Sequence, residues 1–258
     1  MGKLDGQIAF ITGADSGIGR ATALAFAREG AAVFILYHSD EEGARTAKEE
    51  VEAAGGRAEV GRGDVGSEED VVATFSSCVE RLGPPTILVN NAGIDSAGIP
   101  VKDMTLERWE QSLRINLTGP FLCSREFLRR RPKGAHGGKI INVTSVHQDI
   151  PRKGAADYDA SKGGLRNLTT TLALELAEQR INVNNLAPGM VLTPMNQEAI
   201  DDPEKMKEQV SSIPWKRAAE PEEIAALAVY LASNDADYVT GATFVIDGGL
   251  VLNMGQGA

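Results

Sequence analysis

Cysteine is nearly absent from this chain: Cys78 and Cys123 are the two in 258 residues. Each falls in a helix-like stretch with no paired spacing, so buried thiols in a reducing compartment are expected rather than a disulfide. Histidine is almost as scarce, and none of the three (His38, His136, His147) has a second histidine or a cysteine at ligand spacing, so a zinc site finds no support. No apolar run reaches the roughly eighteen residues that crossing a membrane takes. Residues 1–6 lack the apolar core of a signal peptide. Positive charge is in deficit, 26 Lys and Arg against 36 Asp and Glu, a net of −10. Such a chain repels a nucleic-acid backbone. Its one basic cluster, Arg129-Arg130-Arg131-Pro132-Lys133, reads as the solvated end of a helix. These absences lead us to expect a soluble cytoplasmic protein with no metal, nucleic-acid or membrane partner.

Glycine, by contrast, is abundant: 28 residues, against roughly 7% in average usage, which suits tight turns or a backbone that approaches a ligand closely. Short apolar runs alternate with amphipathic stretches from end to end. Ile8–Thr12, Ala32–Tyr37, Ile87–Asn90, Lys139–Thr144, Ile181–Leu186 and Thr243–Ile246 read as buried strands, with a weaker one at Arg57–Val60. Between them lie helical patterns, such as Leu165, Leu168, Leu172 and Leu176, or Trp109, Leu113, Leu117 and Phe121. Buried strands separated by helices imply a parallel sheet covered on both faces. The expectation is one doubly wound α/β domain over 1–258 with seven strands, a cofactor half at about 1–140 and a substrate-facing half at about 141–258.

The first strand runs into Thr12-Gly13-Ala14-Asp15-Ser16-Gly17-Ile18-Gly19 and then a helix over 20–28. Glycines at a strand-to-helix turn let the backbone approach a pyrophosphate, and the helix N-terminus offers free N–H groups and a positive dipole end. By itself this Gly-x3-Gly-x-Gly spacing also fits a plain tight turn; its place between strand one and a helix points to a dinucleotide.

Thr-Gly-x3-Gly-Ile-Gly resembles the short-chain dehydrogenase/reductase family. Further marks follow in that family's order: Asp64-Val65 after strand three, Asn90-Asn91-Ala92-Gly93 after strand four and Pro188-Gly189 after strand six. The resemblance spans essentially the whole chain and implies a Rossmann-type fold using NAD or NADP. It implies that Asp64 and Val65 flank the adenine, that Asn90, Asn91, Ala92 and Gly93 line the cleft, and that Pro188, Val191 and Thr193 reach the nicotinamide end, with Gly189 also at the cofactor. Gly13, Asp15, Ser16, Gly17, Ile18 and Gly19 form the phosphate loop.

Tyr158-Asp159-Ala160-Ser161-Lys162 opens the helix that carries Leu165 to Leu176. Tyr and Lys at i, i+4 share a helical face, and a neighbouring cation stabilises a phenolate. Taken alone the pair also fits a solvated helix face. Tyr158 is nevertheless the one tyrosine of four with Lys four residues on, and it falls where the resembled family has its catalytic pair. Ser145, thirteen residues earlier at the end of strand five, can hydrogen-bond a reacting oxygen or simply form a turn. Asn116 sits in a helical pattern with Pro120 four residues later, and proline has no N–H to give the Asn116 carbonyl. A plain kink is one reading. The resemblance implies another, a carbonyl that holds a water linking the catalytic Lys to solvent.

Within the family, Thr144–Pro151, Ala160–Gly164, Glu220–Ile224, Tyr238–Gly241 and Asp247–Gly249 are similar to bacterial glucose 1-dehydrogenases. The more polar loop Arg152–Asp157 departs from that pattern, and suits a polyhydroxy or acidic substrate. His147 either lines the pocket or sits on a solvated loop. Residues 194–214 are polar and bounded by prolines, as a mobile lid would be. The implied reaction is hydride transfer between a sugar-like secondary alcohol and NAD(P). The alternatives are a carbonyl or 3-oxoacyl reductase of the same family, or a nonenzymatic dinucleotide sensor, against which the intact Asn116, Ser145, Tyr158 and Lys162 argue.

An NAD-selecting site places Asp or Glu about 20 residues past the glycine loop, on the ribose 2′-hydroxyl. Here Tyr37 takes that place, followed by His38 and Ser39, which can donate to a 2′-phosphate, while Asp15 and Asp40 oppose one. Dual use with a modest NADP preference is expected, growing as pH falls and imidazole gains its proton. The helices expected over 106–131 and 156–179 carry more apolar positions than one sheet face needs, and the tail Leu250–Met254 is apolar. With the resemblance, this implies a homotetramer.

Overall fold

Along β1 (Ile8–Thr12), Ala9 and Ile11 enter one buried cluster while Phe10 enters another, so the strand is covered on both faces. The same alternation runs along β2 (Ala32–Tyr37), with Val33, Ile35 and Tyr37 on one face and Phe34 and Leu36 on the other. Period-two burial without a polar face is what a parallel sheet between two helical layers requires. The computed structural model describes residues 2–95 and 98–253. The remaining strands are β3 (Arg57–Arg62), β4 (Ile87–Asn90), β5 (Lys139–Val143), β6 (Asn182–Pro188) and β7 (Thr243–Ile246). All seven pair in parallel in the order β3-β2-β1-β4-β5-β6-β7.

One layer contains α1 (Gly17–Arg28), α2 (Glu41–Ala53) and α9 (Pro221–Ala232), whose Phe26, Val51 and Ile224 join the Ile11 cluster. The other contains α3 (Glu68–Arg81), α5 (Gly119–Arg129) and α6 (Ala156–Leu176), whose Phe75, Phe127 and Leu176 join the Phe10 cluster. Phe10 stacks on Phe75 at 4.0 Å and on Phe34 at 5.0 Å between ring centroids. The strand order reverses between β1 and β4, and ligands of open α/β sheets bind at the carboxyl ends of strands flanking such a reversal.

Several boundaries differ from the sequence expectation. The first helix starts at Gly17 rather than residue 20, β6 runs on to Pro188, and β5 stops at Val143, leaving Ser145 two residues past the strand. The helix expected over 106–131 is two helices, α4 (Leu106–Leu113) and α5, joined by a π-turn over Arg114–Thr118. There the Gly119 N–H reaches back five residues to the Arg114 carbonyl. Pro120 is the cause: with no N–H to continue the α ladder, the chain takes up one extra residue. The four-spaced stripe Trp109, Leu113, Leu117 and Phe121 is half-buried to exposed, and the core instead receives Leu122, Cys123 and Phe127. The basic cluster closes α5 at the surface, with Arg129, Pro132 and Lys133 exposed, while Arg130 Nε donates to Glu126 Oε1 at 2.6 Å and Arg131 lies over the Phe127 ring. The segment 194–214 holds two helices, α7 (Gln197–Asp201) and α8 (Pro203–Ser211), with Ala199 and Ile213 buried. A last short helix, α10 (Leu250–Asn253), follows β7, and Met254 of the expected apolar tail lies outside the described residues. Among those residues no helix is long and apolar enough to cross a membrane. Burial pushes both cysteine thiols up to about 12, which makes them inert.

Candidate active site

The loop after β1 is tied to the loop after β4. Thr12 Oγ1 accepts from the Asn91 and Ala92 N–H groups at 3.0 and 2.9 Å, and Asn91 Nδ2 donates to the Thr12 and Gly13 carbonyls at 3.0 and 2.8 Å. Gly17 opens α1 with φ of +51°, a conformation only glycine takes cheaply. A Cβ on Gly19 would stand 2.1 Å from the Gly13 carbonyl oxygen and 2.6 Å from Asn91 Nδ2, so that glycine lets α1 press against the loop. The N-terminus of α1 has no side-chain cap and no acidic residue in its first turn. By contrast α2 and α3 are capped by Asp40 and Ser67 and open on acidic residues. Uncapped N–H groups at the positive end of a helix dipole make an anion site.

A cleft of about 700 Å³ runs from this loop to Tyr158. Of the residues expected to hold a cofactor or do chemistry, all but Gly19, Ser39, Asn90 and Asn116 line it. Ser39 is exposed beyond its edge. The Asn90 side chain points into the sheet, donating to Asn142 Oδ1 at 2.8 Å and Ser124 Oγ at 3.2 Å, because the last residue of a buried strand needs polar partners inside the fold. The neighbouring Asn91 takes the place at the cleft.

At the end of the cleft next to β2 and β3, Asp64 accepts from Arg114 Nη1 at 2.6 Å and from the Gly66 N–H at 2.8 Å. Burial alone would raise its carboxyl, but these partners hold it below the usual range. Tyr37 and His38 line the cleft at the end of β2, and Arg62 Nε donates to the His38 carbonyl at 3.3 Å. Nearby cations are matched, Arg20 with Glu50, Arg45 with Glu42 and Lys48 with Glu52 and Glu59. Asp15, in the glycine loop, is raised, first by burial and also by the Asp40 charge.

At the other end, Ser145 caps a short turn, its hydroxyl accepting from the His147 N–H at 3.1 Å. Tyr158 and Lys162 are buried on α6, with Lys162 Nζ 5.6 Å from the Tyr158 ring centroid and donating to the Val143 carbonyl at 2.9 Å. The expected easing of the phenol by lysine does not dominate here. Burial pushes Tyr158 up to about 12, against the pull of its hydrogen bond with Ser145, and the Asp95 charge adds to the rise. Burial also lowers Lys162 to about 8. Asn116, fully buried in the π-turn, accepts from the Ile94 N–H at 2.8 Å, and its Nδ2 donates to the Ile94 carbonyl at 2.9 Å and to Ser161 Oγ at 3.2 Å. A Cβ on Gly93 would lie 3.2 Å from Asn116 Oδ1 and 3.6 Å from Lys162 Nζ, so Gly93 leaves open the space those two groups share. His147 is half-buried, edge-on to Tyr158 at 6.1 Å, its Nδ1 against the Ile150 carbonyl.

Sequence reasoning missed Asp95, Gln111 and Arg114, which line the cleft from the loop after β4, from α4 and from the π-turn that follows it. A turn of helix that no pattern marks as polar-facing gives no signal until the π-turn rotates it.

A family model described as enoyl-(acyl carrier protein) reductase matches residues 13–251. Glucose 1-dehydrogenase 2 of Bacillus subtilis strain 168 is 39% identical over 253 residues, covering 98% of each chain. 3beta-hydroxysteroid dehydrogenase 1 of Eggerthella lenta is 43% identical over 256 residues, covering 98% of this chain and 96% of the relative. A Beutenbergia cavernae protein, provisionally assigned as an NAD(P)-dependent gluconate 5-dehydrogenase and solved with NADP at low occupancy, superposes with a TM-score of 0.89 at 35% identity, covering 96% of this chain and 98% of that one.

Proposed function

The chain belongs to the short-chain dehydrogenase/reductase family of oxidoreductases, and from that premise we propose that it moves a hydride between a sugar-like secondary alcohol and NAD or NADP. The observation that carries this reading is that Ser145, Tyr158 and Lys162 line the same cleft as the uncapped glycine loop. The uncapped N-terminus of α1 fits a dinucleotide as an anion site, and the Gly93 gap fits it as space that a side chain would crowd against Asn116 and Lys162.

When bound, an oxidised nicotinamide supplies the hydride acceptor and a positive charge. The protein's own groups handle the proton. Tyr158, as phenolate, takes the substrate hydroxyl proton while the C–H bond on the same carbon breaks. Ser145 donates to the reacting oxygen and holds it against Tyr158. Lys162 stands beside the phenol and the Gly93 gap, where it stabilises the phenolate and reaches the ribose. The Asn116 carbonyl, which Pro120 cannot serve, holds the water through which the proton leaves toward solvent.

Identity does not choose the substrate, because the steroid and glucose dehydrogenases stand at 43% and 39%. Polarity supports the sugar reading: Asp95 and Arg152 form an ion pair beside Tyr158, and His147 lies edge-on to it. Absorbance of reduced nicotinamide across aldoses, aldonates, polyols and ketones tests it. Turnover of a polyhydroxy alcohol is expected, and turnover confined to apolar ketones overturns it.

On the cofactor, the absence of a carboxylate at Tyr37 and the Arg62 guanidinium beside His38 support dual use with an NADP preference. Residues 194–214 act as the lid, since Thr193 to Asn196 line the cleft. A homotetramer is supported by Leu174 on α6 (82% exposed), Leu252 on α10 (80%) and Phe121 on α5 (43%).

A further inference from the structure

Two cations stand at the same distance from the Tyr158 ring. The Arg152 guanidinium carbon and Lys162 Nζ are each 5.6 Å from its centroid. Arg152 comes from the loop before α6, the stretch that departs from the glucose-dehydrogenase pattern, and its Nη2 donates to Asp95 Oδ1. Both partners are anchored. The Arg152 N–H donates to Asp159 Oδ2 at 2.8 Å, one residue past the tyrosine. Asp95 follows Ile94, which Asn116 grips, and its carbonyl accepts from Arg108 Nη2 at 3.0 Å.

We propose that the Asp95–Arg152 pair sets the acidity of Tyr158, its two members pulling in opposite directions. The proposal rests on Tyr158 being the base. A phenolate 5.6 Å from a guanidinium in a buried site is favoured, and the carboxylate that faces the same guanidinium disfavours it. The other groups around the phenol are Ser145 and His147 on the segment after β5, and Asp159 and Lys162 on α6 itself. Asp157 is turned to Ser112 Oγ at 2.6 Å and lies 3.7 Å from Arg108 Nε. Lys162 is held near 8 by burial, so its charge fades through the mildly alkaline range while the guanidinium keeps its own. Arg152 and Asp95 are thus positioning residues that act through Tyr158.

The pH profile of kcat for alcohol oxidation separates this role from a merely structural one. Arg152→Gln removes the guanidinium charge that favours the phenolate while the Asp95 carboxylate stays, and moves the acidic limb up by about one to two pH units, from Coulomb's law at this range. Asp95→Asn moves it down. Arg152→Lys keeps the charge and stays near the wild type, and the double variant Asp95→Asn/Arg152→Gln returns toward it. A pair that only braced the loop would give shifts of one sign, or none, in both single variants, and either result overturns the proposal. Phenolate absorbance, titrated with oxidised dinucleotide present and Tyr158→Phe as the blank, reads the same shifts without turnover. Tyr158→Phe also separates the two failures. If it turns over normally, the base assignment falls; if it is inactive and the limbs do not move oppositely, the tuning falls while the base stands.

Discussion

The side-chain amide of Asn116 closes a two-bond ring with the backbone of Ile94, accepting from its N–H at 2.8 Å and donating to its carbonyl at 2.9 Å. The side chain is thereby spent on holding the loop after β4 to the π-turn, and the group left for a proton path is the backbone carbonyl. The two parts of one residue therefore separate by mutation. Asn116→Ala leaves the half-buried Ile94 N–H and carbonyl without these bonds and lowers stability by about 1 kcal/mol along with activity. Pro120→Ala adds the missing N–H, lets the helix take up its α register and lowers turnover with little change in stability. Urea denaturation and turnover of both variants check this. Normal turnover by Pro120→Ala in a structure where that bond has closed removes the carbonyl from the mechanism.

Tyr158→Phe keeps the packing around the cleft and removes the proton acceptor. Nucleotide binding, followed by fluorescence titration, should be unchanged, while turnover falls by about 10²–10⁴-fold, the usual worth of a positioned proton-transfer group.

Lys162 links activity to stability. Its burial lowers it from 10.5 to about 8, so between those values the unfolded chain binds a proton that the folded protein has released. The burial cost of the ammonium is therefore fully present below about pH 8 and is relieved as pH rises toward 10.5. Without added nucleotide, stability relative to Lys162→Met should climb from pH 8 to 10, by up to roughly 3 kcal/mol. Parallel curves for the two proteins in urea would refute the shift.

The proposed cofactor preference is tested at Tyr37 and Arg62. Tyr37→Asp puts a carboxylate against the 2′ position and should move the preference to NAD. Arg62→Ala should lower kcat/KM for NADP roughly tenfold, a charge-assisted hydrogen bond to phosphate, and leave NAD unaffected. Equal losses with both cofactors would place Arg62 elsewhere on the nucleotide.

Leu174 on α6, more exposed at 82% than Leu252 or Phe121, is the position to challenge assembly. Light scattering at micromolar concentration should give a tetramer, and Leu174→Glu should shift it toward smaller species. A wild-type monomer would contradict the tetramer directly.

The strand runs, the glycine loop and the Tyr158–Lys162 spacing were legible in the residues because each is local. Apolar alternation needs only a period, and an i, i+4 pair needs only a helix. The missing N–H at Pro120 was legible too, being a covalent fact, but the π-turn that splits the helix read as continuous over 106–131 was not. What the tertiary structure alone decided is where long-range partners meet. It turned Asn90 into the sheet and Asn91 toward the cleft, though the two are adjacent and identical. It also brought Asp95 from the loop after β4 and Arg152 from the loop before α6 to the same tyrosine, 57 residues apart in the chain. Burial then made Tyr158 less acidic than the lysine beside it had suggested, because desolvation depends on every element packed around a group and no local spacing encodes it.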